Sequence, residues 1–346
     1  MAPSALEETS TIEAGSEDTE IAALRKALVS ESVPLARRFR ALFSLKHYAS
    51  LQPPTQQSLP AIYAIAAAFH SPSALLKHEL AYCLGQTRNM SSVPFLRQVL
   101  ADRHQDPMCR HEAAEALGAL GDNNSLDELR RMRDDNTEAT VVRETCEIAV
   151  SRIEWEHSAQ RRGEKLRDSD FASVDPAPPL PQTESSYSID ELQELLLDTR
   201  RPLFERYRAM FVLRDLSSPP DLPTAVAAIE ALASGFRDAS ALFRHEIAFV
   251  FGQLSHPASI PSLIATLSDR KEESMVRHEA AEALGSLGDE EGVEDVLRGF
   301  LDDEEQVVRD SVVVALDMAE FEKTGEKEYA TLAPDSDFSP FARVKA

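Results

Sequence analysis

HEAAEALG occupies residues 111–118 and, unchanged, residues 278–285. An identical octapeptide at two places points to a duplicated chain, and the flanking sequence supports this. ALLKHELAYCLGQ at 74–86 aligns with ALFRHEIAFVFGQ at 241–253, and RHEAAEALGALGD at 110–122 aligns with RHEAAEALGSLGD at 277–289, both at an offset of 167. Upstream, FRALFSL at 39–45 matches YRAMFVL at 207–213 at an offset of 168, so one single-residue indel lies between. Inside each half runs a shorter period. His78 to His111 is 33 residues, and so is His245 to His278. A period of this length with two helices per unit marks an α-solenoid. Ankyrin and tetratricopeptide repeats have similar periods, but their T-P-L-H and W…L-G…Y signatures are absent. The short AAEALG helix pairs read instead as HEAT-like repeats, about four pairs per half. The fold expected is all-α: two duplicated HEAT-like halves that face each other with pseudo-two-fold symmetry.

The rest of the chain fits this frame. Apolar residues make up 43% of 346 positions and aromatics only 6%. Ala and Leu dominate the patterned segments, which favours packed helices over sheet. Residues 1–18 read as a disordered acidic tail, 19–154 as the N-terminal half and 189–322 as the C-terminal half. Between the halves, 155–188 is polar and Pro-rich and reads as a flexible linker. A polar tail fills 323–346. The formal charge of −23 with no basic stripe excludes nucleic acid as a direct ligand, and it favours a basic partner steered in by the field. Three cysteines without CxxC spacing argue against a disulfide framework. The longest apolar run, AIYAIAAAF at 61–69, is too short to cross a bilayer, and the acidic N-terminus is unlike a signal peptide. The expected setting is cytoplasmic, with the nucleus also open, and the expected state a monomer.

The chemistry lies in a phase coincidence. HELAYCLG from His78, HEAAEALG from His111, HEIAFVFG from His245 and HEAAEALG from His278 share the pattern H-E-x-A-x-x-[LF]-G. Nine His among 346 residues would give about one His-Glu pair by chance; four occur, all at one phase of the repeat. An inherited surface or packing pair explains one such dipeptide readily and four in register poorly, because neighbouring positions have drifted: Tyr82 faces Phe249, and Cys83 faces Val250. Equivalent positions of successive repeats sit side by side on helices roughly 10 Å apart, so His78 should neighbour His111, and His245 should neighbour His278. A His and the Glu after it point about 100° apart on a helix and can flank one cleft. The Ala at i+3 and the Gly at i+7 lie on the His face, where they either leave room beside the imidazole or serve close helix packing. Four converging carboxylates repel, and buried unpaired charge is costly; two divalent cations would neutralise them. Mixed His and carboxylate ligation without thiolate suits iron or manganese and, less specifically, zinc.

On these four in-register pairs, the sequence resembles the deoxyhypusine hydroxylase family over about residues 20–320. The resemblance implies a HEAT-repeat di-iron monooxygenase that hydroxylates the deoxyhypusine side chain of translation factor 5A to hypusine. It implies two Fe2+ per chain, with O2 activated between them as co-substrate. The metal ligands carried over are His78, Glu79, His111, Glu112, His245, Glu246, His278 and Glu279. Two of these, Glu79 and Glu246, are also candidates for orienting substrate amines in catalysis. Glu115 and Glu282, one turn after His111 and His278, could hydrogen-bond the imidazoles, although a solvated role or a salt bridge to a neighbouring repeat weighs more.

Other readings stay open at this level. A non-catalytic HEAT scaffold explains the solenoid but not the phase of the pairs. A phycobilin-lyase-like HEAT protein needs no quartet, and a zinc hydrolase could use the same ligands. His47, His70, His104, His157 and His256 lack the motif and are expected at the surface. Trp155 is expected to close the end of the first half, and Cys109, beside Arg110, to be an ordinary thiol.

Overall fold

The computed structural model describes residues 19–166, 169–181 and 187–324. The tail expected at 1–18, and the tail beyond Thr324, lie outside the described residues. Among those described there are helices and no strand. Two compact units divide between Ile153 and Glu154.

Over its described residues the N-terminal unit holds eight α-helices: α1 (Thr19–Val29), α2 (Leu35–Ser50), α3 (Ser58–Ala66), α4 (Ala74–Gln86), α5 (Val93–Ala101), α6 (Pro107–Leu120), α7 (Leu126–Asp134) and α8 (Thr140–Glu156), the last reaching past the boundary. A short helix, α9 (Ala159–Gly163), follows. The C-terminal unit repeats the series: α10 (Ile189–Leu197), α11 (Leu203–Leu216), α12 (Ala225–Ala233), α13 (Ala241–Leu254), α14 (Ile260–Ser268), α15 (Ser274–Gly285), α16 (Val293–Arg298) and α17 (Gln306–Thr324). Each unit is thus four helix pairs in the solenoid manner expected from the 33-residue period.

Local chemistry starts the helices where the pairs need them. Ser73 Oγ accepts the Leu76 N–H at the start of α4, and Ser240 Oγ accepts the Phe243 N–H at the start of α13. Asp106 caps α6 from the Met108 N–H, with Pro107 at the first turn, where its missing N–H costs nothing. Gly121 ends α6 in the left-handed region, at φ 68°.

Small residues set the stacking distance. A Cβ built on Gly85 would lie 2.7 Å from the Ala116 Cβ and 2.8 Å from its Cα, so α4 and α6 touch backbone to backbone there. Gly285 meets Ala315 of α17 in the same way, at 2.8 Å. The Gly at i+7 of the motif therefore serves close packing between successive second helices.

The segment expected as a flexible linker is a strap on the C-terminal unit over its described residues. Arg208 of α11 donates to Glu164 at 2.7 Å and to the carbonyls of Pro178 and Pro179. Arg214, fully buried, donates to Asp175 at 2.9 Å and to Ser169 at 3.1 Å, and its guanidinium lies 4.4 Å from the Phe171 ring centre. Composition hides this because the partners are two arginines on another helix. Trp155, expected to close the first half, instead donates its indole N–H to Glu164 at 3.0 Å and lies under Arg208 and Arg161.

Candidate metal centre

The four His-Glu pairs stand on the second helix of a repeat: His78–Glu79 on α4, His111–Glu112 on α6, His245–Glu246 on α13 and His278–Glu279 on α15. All eight side chains are buried, none more than 7% exposed. Polar groups at that depth require partners of matching chemistry.

Within each unit the adjacent repeats bring their pairs together. The His78 and His111 rings are 5.3 Å apart at 43°; the His245 and His278 rings are 5.4 Å apart at 47°. His78 Nε2 lies 3.3 Å from Glu112 Oε2, and His245 Nε2 lies 3.4 Å from Glu279 Oε2. Two sequences that differ at many other positions thus build one arrangement twice, a His of one repeat against the Glu of the next.

This donor set fits a cation. One ligand atom each from His245, His278 and Glu279 fall within 4.8 Å of one another, all buried. Bonds of about 2 Å to a single metal ion demand this kind of spacing. In the N-terminal unit, His111, Glu112 and Glu115 form a group of the same size. Among the described residues these groups within each unit draw on Glu112, Glu115 and Glu279, and not on Glu79 or Glu246.

Glu115 and Glu282 lie nearer the imidazoles than the sequence reading favoured. Glu115 joins a three-donor group with His111. Glu282 Oε1 is 3.6 Å from His278 Nδ1 and also accepts from the Ser311 hydroxyl at 3.2 Å, which ties it to α17. Glu79 is flanked one turn on by Cys83, whose thiol points at Glu79 Oε1 at 3.8 Å. Burial, and after it the Glu79 carboxylate, raise the Cys83 pKa well above the ordinary thiol value. Burial pushes Cys109 and Cys146 up to about 12, so the thiol beside Arg110 is an ordinary core group. His256, expected at the surface, is buried and caps a 3-10 turn by accepting the Ala258 N–H at Nδ1.

The residue before each His was missed as a functional element. Lys77, Arg110, Arg244 and Arg277 make the motif [KR]-H-E, legible in the sequence once the pairs are aligned. Arg110 donates from Nε to the Leu100 carbonyl at 2.9 Å and from its fork to Glu138 at 2.6 and 2.7 Å. Arg277 repeats this with the Leu267 carbonyl at 2.9 Å and Asp303 at 3.0 and 2.6 Å. Arg244 grips Glu272, and Lys77 reaches Gln105 at 2.7 Å. Each cation bolts its helix to the loop that leads into the second helix of the next repeat, which fixes the rotation at which the following His and Glu are presented. The bidentate Arg contacts are the stronger kind.

Comparison with known proteins agrees with this construction. The HEAT-repeat family model matches residues 62–151 and 229–317. The chain is 72% identical over 314 residues to a deoxyhypusine hydroxylase of Phaeosphaeria nodorum, covering 91% of this chain and 95% of that one. It is 67% identical over 312 residues to that of Neurospora crassa, covering 90% and 96%. The solved structure of human deoxyhypusine hydroxylase in complex with glycerol matches with a TM-score of 0.76 at 46% identity, covering 88% of this chain and 96% of that one. With identity this high over nearly the whole length, and a HEAT solenoid beneath it, the chain belongs to the deoxyhypusine hydroxylase family.

Proposed function

We propose that this hydroxylase acts on the deoxyhypusine side chain of translation factor 5A, converting it to hypusine, with two irons held by the histidines of the four His-Glu pairs together with Glu112 and Glu279, and O2 as the oxidant. The observation that carries the reading is the twofold occurrence of one buried geometry, His78 to Glu112 and His245 to Glu279, in a chain so similar to named deoxyhypusine hydroxylases. Membership of that family makes the chain an enzyme rather than a scaffold.

In this reading His78, His111, His245 and His278 offer imidazole nitrogens, and Glu112 and Glu279 offer carboxylate oxygens. Iron, when bound to them, supplies the activation of O2 that places an oxygen atom in a C–H bond. The residues of the chain do the rest. Glu282, braced by Ser311, orients the His278 ring. Glu115 stands at the same place beside His111. Glu79 and Glu246, outside the compact donor groups of each unit, are the proposed catalytic positioning residues for the substrate. Deoxyhypusine is a long amine with two cationic centres, and buried carboxylates hold ammonium groups by charge-assisted hydrogen bonds. The −23 charge favours approach of a cationic side chain. No described helix is long and apolar enough to cross a membrane. The three described cysteines are free and buried, which suits the proposed cytoplasmic setting.

The test is elemental analysis of purified chain together with mass spectrometry of 5A carrying deoxyhypusine, incubated with the chain under O2 and a reductant. The expected result is bound iron and one oxygen atom added to the side chain. A metal-free preparation that neither takes up iron nor adds oxygen would sink the reading.

A further inference from the structure

Glu79 and Glu246 stand at matching places on α4 and α13, 167 residues apart. One helical turn after Glu79 comes a thiol, Cys83; one turn after Glu246 comes an isopropyl group, Val250. Residues so spaced share a helix face, and on α4 the two side chains meet: Cys83 Sγ lies 3.8 Å from Glu79 Oε1. Cys83 is fully buried and Glu79 is 7% exposed, so the contact is shut away from water.

Chemistry gives the contact its direction. A carboxylate only accepts hydrogen bonds, and a thiol with an ordinary pKa of about 8.5 keeps its proton at neutral pH. The Cys83 S–H is therefore the donor. A thiol is a weak donor, but a charged acceptor strengthens the bond. Val250 has no polar hydrogen to give. Cysteine in one half for valine in the other recurs at Cys109 and Val276, and all four side chains are fully buried. Both types fill a small apolar space, so packing alone does not separate them. The thiols differ in their targets. Cys109 Sγ faces the backbone carbonyl of Ala74 at 3.3 Å, whereas Cys83 faces a side chain of the candidate site.

We propose that Cys83 is a positioning residue, its S–H holding the Glu79 carboxylate in one orientation, ready for an ammonium group of the substrate. The proposal rests on the reading of Glu79 as a substrate-binding carboxylate. A Glu side chain has many rotamers, and ordering it at the moment of binding lowers affinity. A donor that orders it beforehand removes that cost. The gain falls on substrate binding, with little change in the step that follows, since the ammonium group meets the same carboxylate before and during reaction. The two halves thus offer the substrate one carboxylate pre-set by a thiol and one that is not.

The test compares Cys83→Val with Cys83→Ala in the full, iron-loaded chain. Valine is the residue the other half uses at this place, so it keeps the packing and removes only the donor. Under argon, 5A carrying deoxyhypusine should bind Cys83→Val about two- to tenfold more weakly than the unaltered chain, at unchanged iron content. Cys83→Ala should lose the same affinity and also melt at a lower Tm, because it leaves a cavity. Affinity that instead follows Tm, intact in Cys83→Val and weakened in Cys83→Ala alone, means that the thiol only fills space and overturns the proposal. A second arm reads the hydrogen bond itself. The S–H stretching band of Cys83, isolated in the infrared as the difference from Cys83→Val, should move to higher frequency in the Glu79→Gln background, where a neutral amide accepts more weakly. A band that stays in place overturns the proposal too. The infrared arm needs neither iron nor substrate, and hydroxylation of 5A by the unaltered chain tests the proposed function separately, so the two failures are distinguishable.

Discussion

His245 reaches across to the next repeat and meets Glu279, Nε2 to Oε2 at 3.4 Å, and His78 meets Glu112 in the same manner at 3.3 Å. The side chains in contact are therefore not the neighbours in sequence, His245 with Glu246, but a His and the Glu one repeat further on. Substitution at either end should have the same effect. Glu279→Gln and His245→Ala are both expected to lower bound iron markedly, by elemental analysis. Both should also lose the rise in Tm on adding ferrous iron that is expected of the unaltered chain. Saturation at one hundred times Kd stabilises by about 2.7 kcal/mol per site, enough to read by calorimetry.

Glu79 and Glu246 should behave differently. If they hold substrate amines, Glu79→Gln and Glu246→Gln keep their iron and lose turnover chiefly through a raised KM. Iron content measured beside steady-state kinetics separates this from ligand loss; an equal loss of iron in Glu79→Gln and Glu112→Gln would count against the distinction.

The glycine ladder makes a contrast inside one motif. Gly85→Ala and Gly285→Ala put a methyl within 3 Å of backbone on the next helix and should cost about 1–3 kcal/mol through overpacking. Gly252→Ala meets Ala283 only at 3.4 Å. There the better helix propensity of Ala, about 1 kcal/mol, offsets the contact, and the change should be close to neutral. Urea unfolding of the three variants decides it.

The buried arginines should matter more than their silence in the motif suggests. Arg110 is buried on Glu138, and Arg277 on Asp303. Removing one partner of such a pair costs about 3–5 kcal/mol, because the other charge is left buried. Arg277→Ala should unfold at a lower urea concentration than the unaltered chain and bind iron more weakly, since α15 loses its bolt.

The same pairs give an acid limb to stability. Hydrogen bonds from Arg277 hold the Asp303 carboxyl below its ordinary 3.8, and those from Arg110 hold Glu138 below 4.5. A carboxyl depressed on folding contributes its full stability above the unfolded pKa and loses it as pH falls through the lower folded value. Stability of the unaltered chain should therefore decline as pH drops below about 5. Asp303→Asn should be less stable at neutral pH and show a shallower decline, measured as Tm against pH.

Much of this protein was legible in its sequence because a duplication prints its own ruler. The offsets of 167 and 33 gave the α-solenoid class, the eight helices per half and the four His-Glu pairs, since helix periodicity and repeat phase are local properties. Contacts between repeats were not legible. That His245 meets Glu279, that Arg277 bolts to Asp303, and that Gly285 touches the backbone of Ala315 depend on how one helix turns against the next, which is settled by packing over the whole stack. The strap is the sharpest case. A polar, Pro-rich stretch reads as a free tether, because nothing within it names the buried Arg208 and Arg214 that hold it. Ionic partners distant in sequence become visible only when folding removes the water between them.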